Sequence, residues 1–213
     1  MPRPSEVRGT PPRRLGRPPA ADARATRERI LVHARTTFSE LGYSATTNKH
    51  LASNAGVTTG AIYHYFSSKL DLYRAVNDST QRIVYDRFEN VVADATTFLS
   101  GIEDVLDTAH ELNNTEPSLA RFLGAVRIDV RRNPELRDVF RHSTQRREAF
   151  FESLIDLGIR TGEIDVGDRA KMVALIRVML IGLVDAVSDD QAVHRVAVEG
   201  IKLLLEGKLI TPT

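Results

Sequence analysis

Residues 46–69, Thr-Thr-Asn-Lys-His-Leu-Ala-Ser-Asn-Ala-Gly-Val-Thr-Thr-Gly-Ala-Ile-Tyr-His-Tyr-Phe-Ser-Ser-Lys, decide the fold of this chain. Thr46 or Thr47 can cap a helix that runs to about Asn54, because a threonine hydroxyl satisfies a free N–H of the first turn. Ala55-Gly56-Val57 makes a turn, and Gly56 can take the positive φ that a sharp bend requires. Thr58 or Thr59 starts a second short helix that ends near Tyr65. Ala52 and Gly56 are small enough for the two helices to approach closely, while Val57 and Ile62 fill their angle over Leu51. The pattern predicts a helix-turn-helix, a unit whose second helix enters the DNA major groove. Thr58, Thr59, Gly60 and Ala61 offer hydroxyls, free N–H groups and short side chains at its start, which suit phosphates and a close approach to base edges. Tyr63 and His64 lie one turn further on, and Lys69 opens the next helix as a phosphate contact. Tyr65 and Phe66 read as core aromatics.

Outward from this unit the chain reads as helices. Ile30, Ala34, Phe38 and Leu41 recur at helical spacing, with Gly42 as a stop. Ser67 or Ser68 caps a long helix carrying Leu70, Leu72, Val76, Ile83, Val84 and Phe88. Amphipathic segments follow at roughly 102–114 and 118–131. Asn133-Pro134 is a start signal for a helix to about Arg160, with Gly162 as its stop. Asp168 opens another, apolar at Met172, Leu175, Ile176, Met179, Leu180 and Leu183. Asp189 or Asp190 opens the last, with Val193, Val196, Ala197, Ile201, Leu204 and Leu205. The expectation is an all-α chain of about nine helices, with no strand pattern of useful length.

The charge is uneven. Residues 1–75 hold 12 Lys and Arg against 5 Asp and Glu, while residues 76–213 hold 17 against 23. A basic first third suits a nucleic-acid-facing end. Six prolines in residues 1–20 and few large apolar groups predict a flexible basic arm over 1–22 that attracts phosphates; for its Arg17 a solvated position is favoured slightly over reading an A·T-rich minor groove. The expected division is therefore this arm, a DNA-binding unit over 23–70 and a helical remainder over 71–213. The 213 residues contain no cysteine, which fits a reducing cytoplasm, and no apolar run approaches the ~20 residues of a membrane span.

Taken together, residues 24–75 resemble the TetR family of transcriptional regulators. The resemblance rests on Ile30-x3-Ala34-x3-Phe38, Glu40-Leu41-Gly42-Tyr43, Thr46-Thr47 and Leu51-Ala52-x2-Ala55-Gly56-Val57. It continues through Gly60-x-Ile62-Tyr63-x-Tyr65-Phe66 and Ser68-Lys69-x2-Leu72. Leu51 and Leu70 depart mildly from the family's usual Ile and Glu. The resemblance implies a two-domain dimer in which three helices bind DNA and the rest form a ligand-binding and dimerisation domain. In the family, positions matching Thr47, Thr58, Thr59, Gly60, Tyr63, His64 and Lys69 touch DNA; Thr46 and Lys49 beside them complete the candidate set. It also implies a palindromic operator, repression as the usual mode, and a homodimer through the last two helices.

A small, mostly apolar effector then belongs among the middle helices, with Phe98, Leu106, Phe122, Val126, Phe150, Leu154, Met172, Ile176 and Met179 as candidate lining. Leu99 and Leu123 share that pattern, and Arg121, Arg127 and Arg131 suit either an acidic ligand or solvent. Enzyme chemistry finds no support: there is no glycine-rich phosphate loop, no His-Glu-x-x-His, no cysteine and no serine-centred nucleophile elbow. No metal or cofactor is expected from the six scattered histidines. His110 and the Asp189-Asp190 pair read as caps or surface. A ligand-independent DNA-binding protein shares the same reading unit but needs no cavity. Both readings place the protein in the cytoplasm, with Tyr63 and Lys69 pointing outward.

Overall fold

The computed structural model describes residues 20–186 and 189–209. The expected arm, with Arg17, lies outside them except at its end, where the first helix already begins at Ala20. Ten α-helices and no strand occur among the described residues: α1 (Ala20–Ala45), α2 (Asn48–Ala55), α3 (Thr59–Tyr65), α4 (Lys69–Ala93), α5 (Phe98–Thr115), α6 (Pro117–Arg132), α7 (Leu136–Val139), α8 (Arg141–Thr161), α9 (Arg169–Ala186) and α10 (Gln191–Leu205). A 3-10 turn, Val166–Asp168, leads into α9.

Local chemistry sets these boundaries. Thr47, Thr58 and Ser68 each accept a backbone N–H from the first turn of α2, α3 and α4. Gly56 ends α2 at φ 61°, and Gly162 ends α8 at φ 78°, in the left-handed region that favours glycine. Gly42, at φ 72°, breaks α1 three residues before its end. Asp190 caps α10 through the N–H groups of Ala192 and Val193. Thr97 caps α5, and the Glu163 carboxylate reaches across to accept from Phe98 and Leu99 N–H.

The helix expected over 134–160 is two. Phe140 leaves helical geometry at φ −102°, ψ 10°, and separates α7 from α8. The physical reason lies in two different burial targets. Leu136 and Phe140 turn into one core, whereas Phe150, Phe151 and Leu154 belong to the other. One straight helix cannot serve both.

The first core lies under α1–α3 and joins Ile30, Phe38, Leu51, Ile62 and Phe66 to Leu72, Tyr73 and Val76 of α4. It also takes in Phe122 from α6. Tyr73 meets Phe38 edge-on at 4.7 Å and Phe122 at 5.5 Å between ring centres, a geometry worth about 0.5–1.5 kcal/mol per pair beyond area burial. The second core joins Val84, Tyr85 and Phe88 of α4 to α5, α8, α9 and α10. The two halves of α4 therefore serve different cores. α6 does the same sideways, with Phe122, Val126 and Val130 on the first core and Leu119 and Leu123 on the second. No described helix is long and apolar enough to cross a membrane.

Candidate functional site

α2 and α3 form an exposed ridge above the first core. Thr47, Lys49, Thr58, Thr59, Gly60, Tyr63 and His64 all lie on its solvent side, with Tyr63 49 % exposed. Leu51, Ala52, Ala55 and Ile62 face inward and hold the two helices together. The ridge is preorganised by its own side chains. Thr47 accepts from His50 N–H while the His50 ring accepts from Thr47 N–H, a reciprocal cap. Asn48 donates to the Tyr63 hydroxyl from the neighbouring helix, so that phenol is aimed by α2 and not by α3 alone. The sequence gives no local signal for this pairing, which spans fifteen positions.

Two of the expected contacts are corrected. Thr46 is 1 % exposed and its hydroxyl donates to Gly42 O at 2.7 Å. It closes the broken end of α1, because a threonine at that point can satisfy a carbonyl the helix has released. Lys69 does not point freely outward. Its Nζ donates to Tyr43 O at 2.8 Å and Thr46 O at 2.9 Å, and sits 4.3 Å from the centre of the Tyr43 ring. Burial pulls the Lys69 ammonium below its ordinary pKa, with Asp129 opposing that shift. Substituting Lys69 therefore removes structural bonds as well as charge.

Asp129, on α6, is the group that sequence reasoning missed. It is 6 % exposed, and its Oδ2 accepts from Tyr43 N–H at 2.8 Å and from the Tyr73 hydroxyl at 2.7 Å. Burial first, and then this carboxylate, hold the Tyr73 phenol well above its ordinary pKa. In sequence Asp129 sits among Arg127, Arg131 and Arg132 and looks like part of a solvated charged face. Arg35 of α1 makes a second tie, donating to Ser118 Oγ at 3.0 Å and Glu116 Oε2 at 2.9 Å. Its pKa is lowered by burial, against the opposing pull of Glu116. Thus the α5–α6 junction and α6 grip α1 and the segment that leads into α2.

A cavity of about 80 Å³ lies on the other side of α6, bounded also by α4, α5, α8, α9 and α10. Val84, Phe88, Leu123, Phe151, Leu180 and Leu183 supply much of its wall, and Gln81, Tyr85, Asn113, Arg127, Arg147 and His194 its polar groups. Leu123 is among the apolar residues expected near a ligand, and Arg127, left open between an acidic ligand and solvent, lines the cavity too. The nine candidate lining residues lie elsewhere. Phe122 and Val126 pack on the first core, one helical face away from Leu123 and Arg127. Leu106, Phe150, Leu154 and Ile176 are buried in the second core, with Met179 packed against it. Phe98 and Met172 line a separate surface hollow beside Ile164. Helical periodicity marks apolar faces but cannot tell a filled face from one that borders a void. His110 is also corrected: it does not stand alone at the surface but stacks on buried His194, with ring centres 5.2 Å apart. Arg121 and Arg127 pair with Asp189 and Asp185. Among the described residues no group of three or more His, Asp or Glu could hold a metal ion.

Comparison with known proteins agrees with this geometry. Residues 30–76 match the family model described as bacterial regulatory proteins, tetR family. The chain is 45% identical over 56 residues to the transcriptional repressor BepR of Brucella suis, covering 26% of this chain and 27% of that protein. It is 42% identical over 67 residues to the transcriptional regulator SrpR of Pseudomonas putida, covering 32% of each. These matches span only about a quarter to a third of the curated relatives' length. The whole fold is similar to the transcriptional regulator FadR of Bacillus subtilis, solved with stearoyl-CoA, at a TM-score of 0.69 and 23% identity, covering 84% of this chain and 98% of that one. The helix-turn-helix and its matched motifs converge: residues 30–76 form a unit similar to that of the tetR family of bacterial regulatory proteins, and the all-helical body beneath it shares the fold of the solved regulator.

Proposed function

We propose that this protein is a ligand-responsive DNA-binding transcriptional regulator, not an enzyme, and that it represses by occupying a palindromic operator as a homodimer in the cytoplasm. The observation that carries the reading is the exposed ridge of α2 and α3. Thr47, Lys49, Thr58, Thr59, Gly60, Tyr63 and His64 share one solvent face above a close-packed core. In this reading residues 23–70 form the DNA-binding unit, the basic arm 1–22 adds phosphate attraction, and 71–213 senses and dimerises. Lys69 acts mainly by fixing the loop that presents Thr47. BepR is named a repressor, which favours that mode here.

Dimerisation is supported by a second apolar face on the last two helices. Ile176, Leu180 and Leu183 of α9 and Val198 of α10 fill the chain's own core. Val178, 68 % exposed, and Val196, 67 % exposed, point away from it with Leu175, Val193, Leu203 and Leu204. A two-fold operator requires a two-fold protein, and these faces are where the second copy belongs.

The effector reading starts from α6. One face of this helix holds Asp129 against Tyr43 and Tyr73, and the adjacent face borders the cavity at Leu123 and Arg127. A molecule larger than the cavity parts α6 from α4 and α9, and so moves the group that fixes the entry to α2. A ligand shifts this equilibrium only by binding the two states unequally. The FadR complex with stearoyl-CoA favours a mostly apolar effector.

Operator selection from random duplexes at fixed salt tests the proposal. Enrichment of one inverted-repeat site is expected. Sequence-independent binding that vanishes as salt rises would leave only the phosphate attraction of the basic arm.

A further inference from the structure

We infer that the cavity between α4, α6 and α10 takes a neutral, hydroxyl-bearing apolar molecule, with its hydroxyl bridging Gln81 and His194. The inference rests on the effector reading above and specifies the chemistry of that site.

Gln81 is 9 % exposed, and its Oε1 meets no hydrogen-bond donor among the described residues. A buried amide oxygen left in that state is costly, and a donor on a ligand recovers that cost. His194, 3 % exposed, lines the same cavity from α10. Its Nδ1 lies 3.1 Å from His110 Nδ1, and His110 Nε2 lies 3.0 Å from Asn114 Nδ2. With the Asn114 NH₂ facing His110 Nε2, His110 carries its proton on Nδ1 and donates it to His194 Nδ1. The His194 proton then sits on Nε2. The cavity therefore offers one acceptor and one donor, and a hydroxyl pairs with both.

Each arginine that lines the cavity already has a carboxylate partner, with Glu148 shared between Arg147 and Arg177. Arg127 is held by Asp185, its Nε 3.0 Å from Oδ2, and Arg147 by Glu148 at 3.1 Å. Burial and the facing His110 lower the His194 pKa, which keeps that ring neutral at pH 7. A carboxylate ligand would have to displace Asp185 or Glu148 to find a cation. The remaining wall, from Val84, Phe88 and Leu180, suits a hydrocarbon body.

The experiment follows methyl NMR signals of the full chain during titration with 1-pentanol, n-pentane and pentanoate. 1-Pentanol should move the methyls of Val84, Leu123, Leu180 and Leu183 with an affinity at least tenfold above that of pentanoate. Gln81→Met should lower the ratio of pentanol to pentane affinity at least fivefold while keeping the wild-type methyl spectrum, and Gln81→Leu repeats the comparison if Gln81→Met misfolds. An unchanged ratio overturns the bridging hydroxyl but leaves the cavity as a ligand site. Tightest binding by pentanoate overturns the neutral class in the same way. If no probe moves these methyls, the cavity itself is not a binding site, and the effector reading falls with the inference.

Discussion

Beneath the α2–α3 ridge, buried polar groups are paired with one another. Asp129 receives Tyr43 N–H and the Tyr73 hydroxyl, Lys69 donates to two carbonyls, and Thr46 closes on Gly42 O. From the middle of α4 onward the picture changes. Thr80 Oγ1, Gln81 Oε1, Asn114 Oδ1 and Arg177 Nε are buried with no hydrogen-bond partner among the described residues. Each such group raises the energy of the closed state by about 1–3 kcal/mol. A fully paired core resists rearrangement, whereas a core with unpaired groups and a void has less to lose by opening. The contrast suits a rigid reading surface carried on a compliant sensor, and α6 touches both.

Substituting Asp129 is the strongest way to break that contrast. Asp129→Ala leaves the Tyr73 hydroxyl buried and unpaired and frees the Tyr43 N–H. The expected loss is about 3 kcal/mol in urea unfolding, since bonds to a charged partner contribute roughly 1.5–3 kcal/mol each. A loss below about 0.5 kcal/mol would mean the first core does not depend on α6. Gly42→Ala comes next. At φ 72° an L side chain is strained, and its Cβ would meet Asp129 Oδ1 at 3.2 Å. About 1–2 kcal/mol of destabilisation is expected, and an unchanged denaturant midpoint would show that the kink relaxes freely.

The same contrast explains what could be read from the sequence. Everything that shapes the ridge locally is visible there: the capping threonines 47 and 58, Ser68, the turn at Gly56, and the inward stripe of Leu51, Ala52 and Ile62. These signals act within four residues. The pairing of Asp129 with Tyr43 and Tyr73 spans 86 and 56 positions, and that of His110 with His194 spans 84. No periodicity reports such contacts. The choice between Phe122 and Leu123, adjacent in sequence, depends on which neighbour each helical face meets. The break at Phe140 was hidden because Asn133-Pro134 and Gly162 bracket what reads as one helix.

A smaller effect sharpens the comparison from the sensor's side. The folded-state pKa of His194 is depressed, so below the unfolded value near 6.5 the unfolded chain binds a proton that the folded chain refuses. Stability contributed by neutral His194 is therefore present above that pH and lost as pH falls through it, at no more than about 1.4 kcal/mol per pH unit. Urea midpoints at pH 7.5 and 5.5 should differ less in His194→Gln than in the wild type. An equal difference would mean that the pair does not set the acid response. Thr46→Val should have the least effect on DNA: the side chain is buried, so the lost bond to Gly42 O lowers stability, while operator affinity of the folded protein at fixed salt should stay within about twofold.

The most direct test of the proposed reading surface is fluorescence-anisotropy titration of the selected duplex with wild type and Tyr63→Phe at one salt concentration. Tyr63 is half exposed and, among the described residues, its hydroxyl bonds only Asn48, so the variant should fold normally. Loss of its hydroxyl from a phosphate should weaken binding about tenfold, or ~1.4 kcal/mol. Wild-type affinity in a fully folded Tyr63→Phe protein would contradict the assignment of the α2–α3 ridge as the surface that reads DNA.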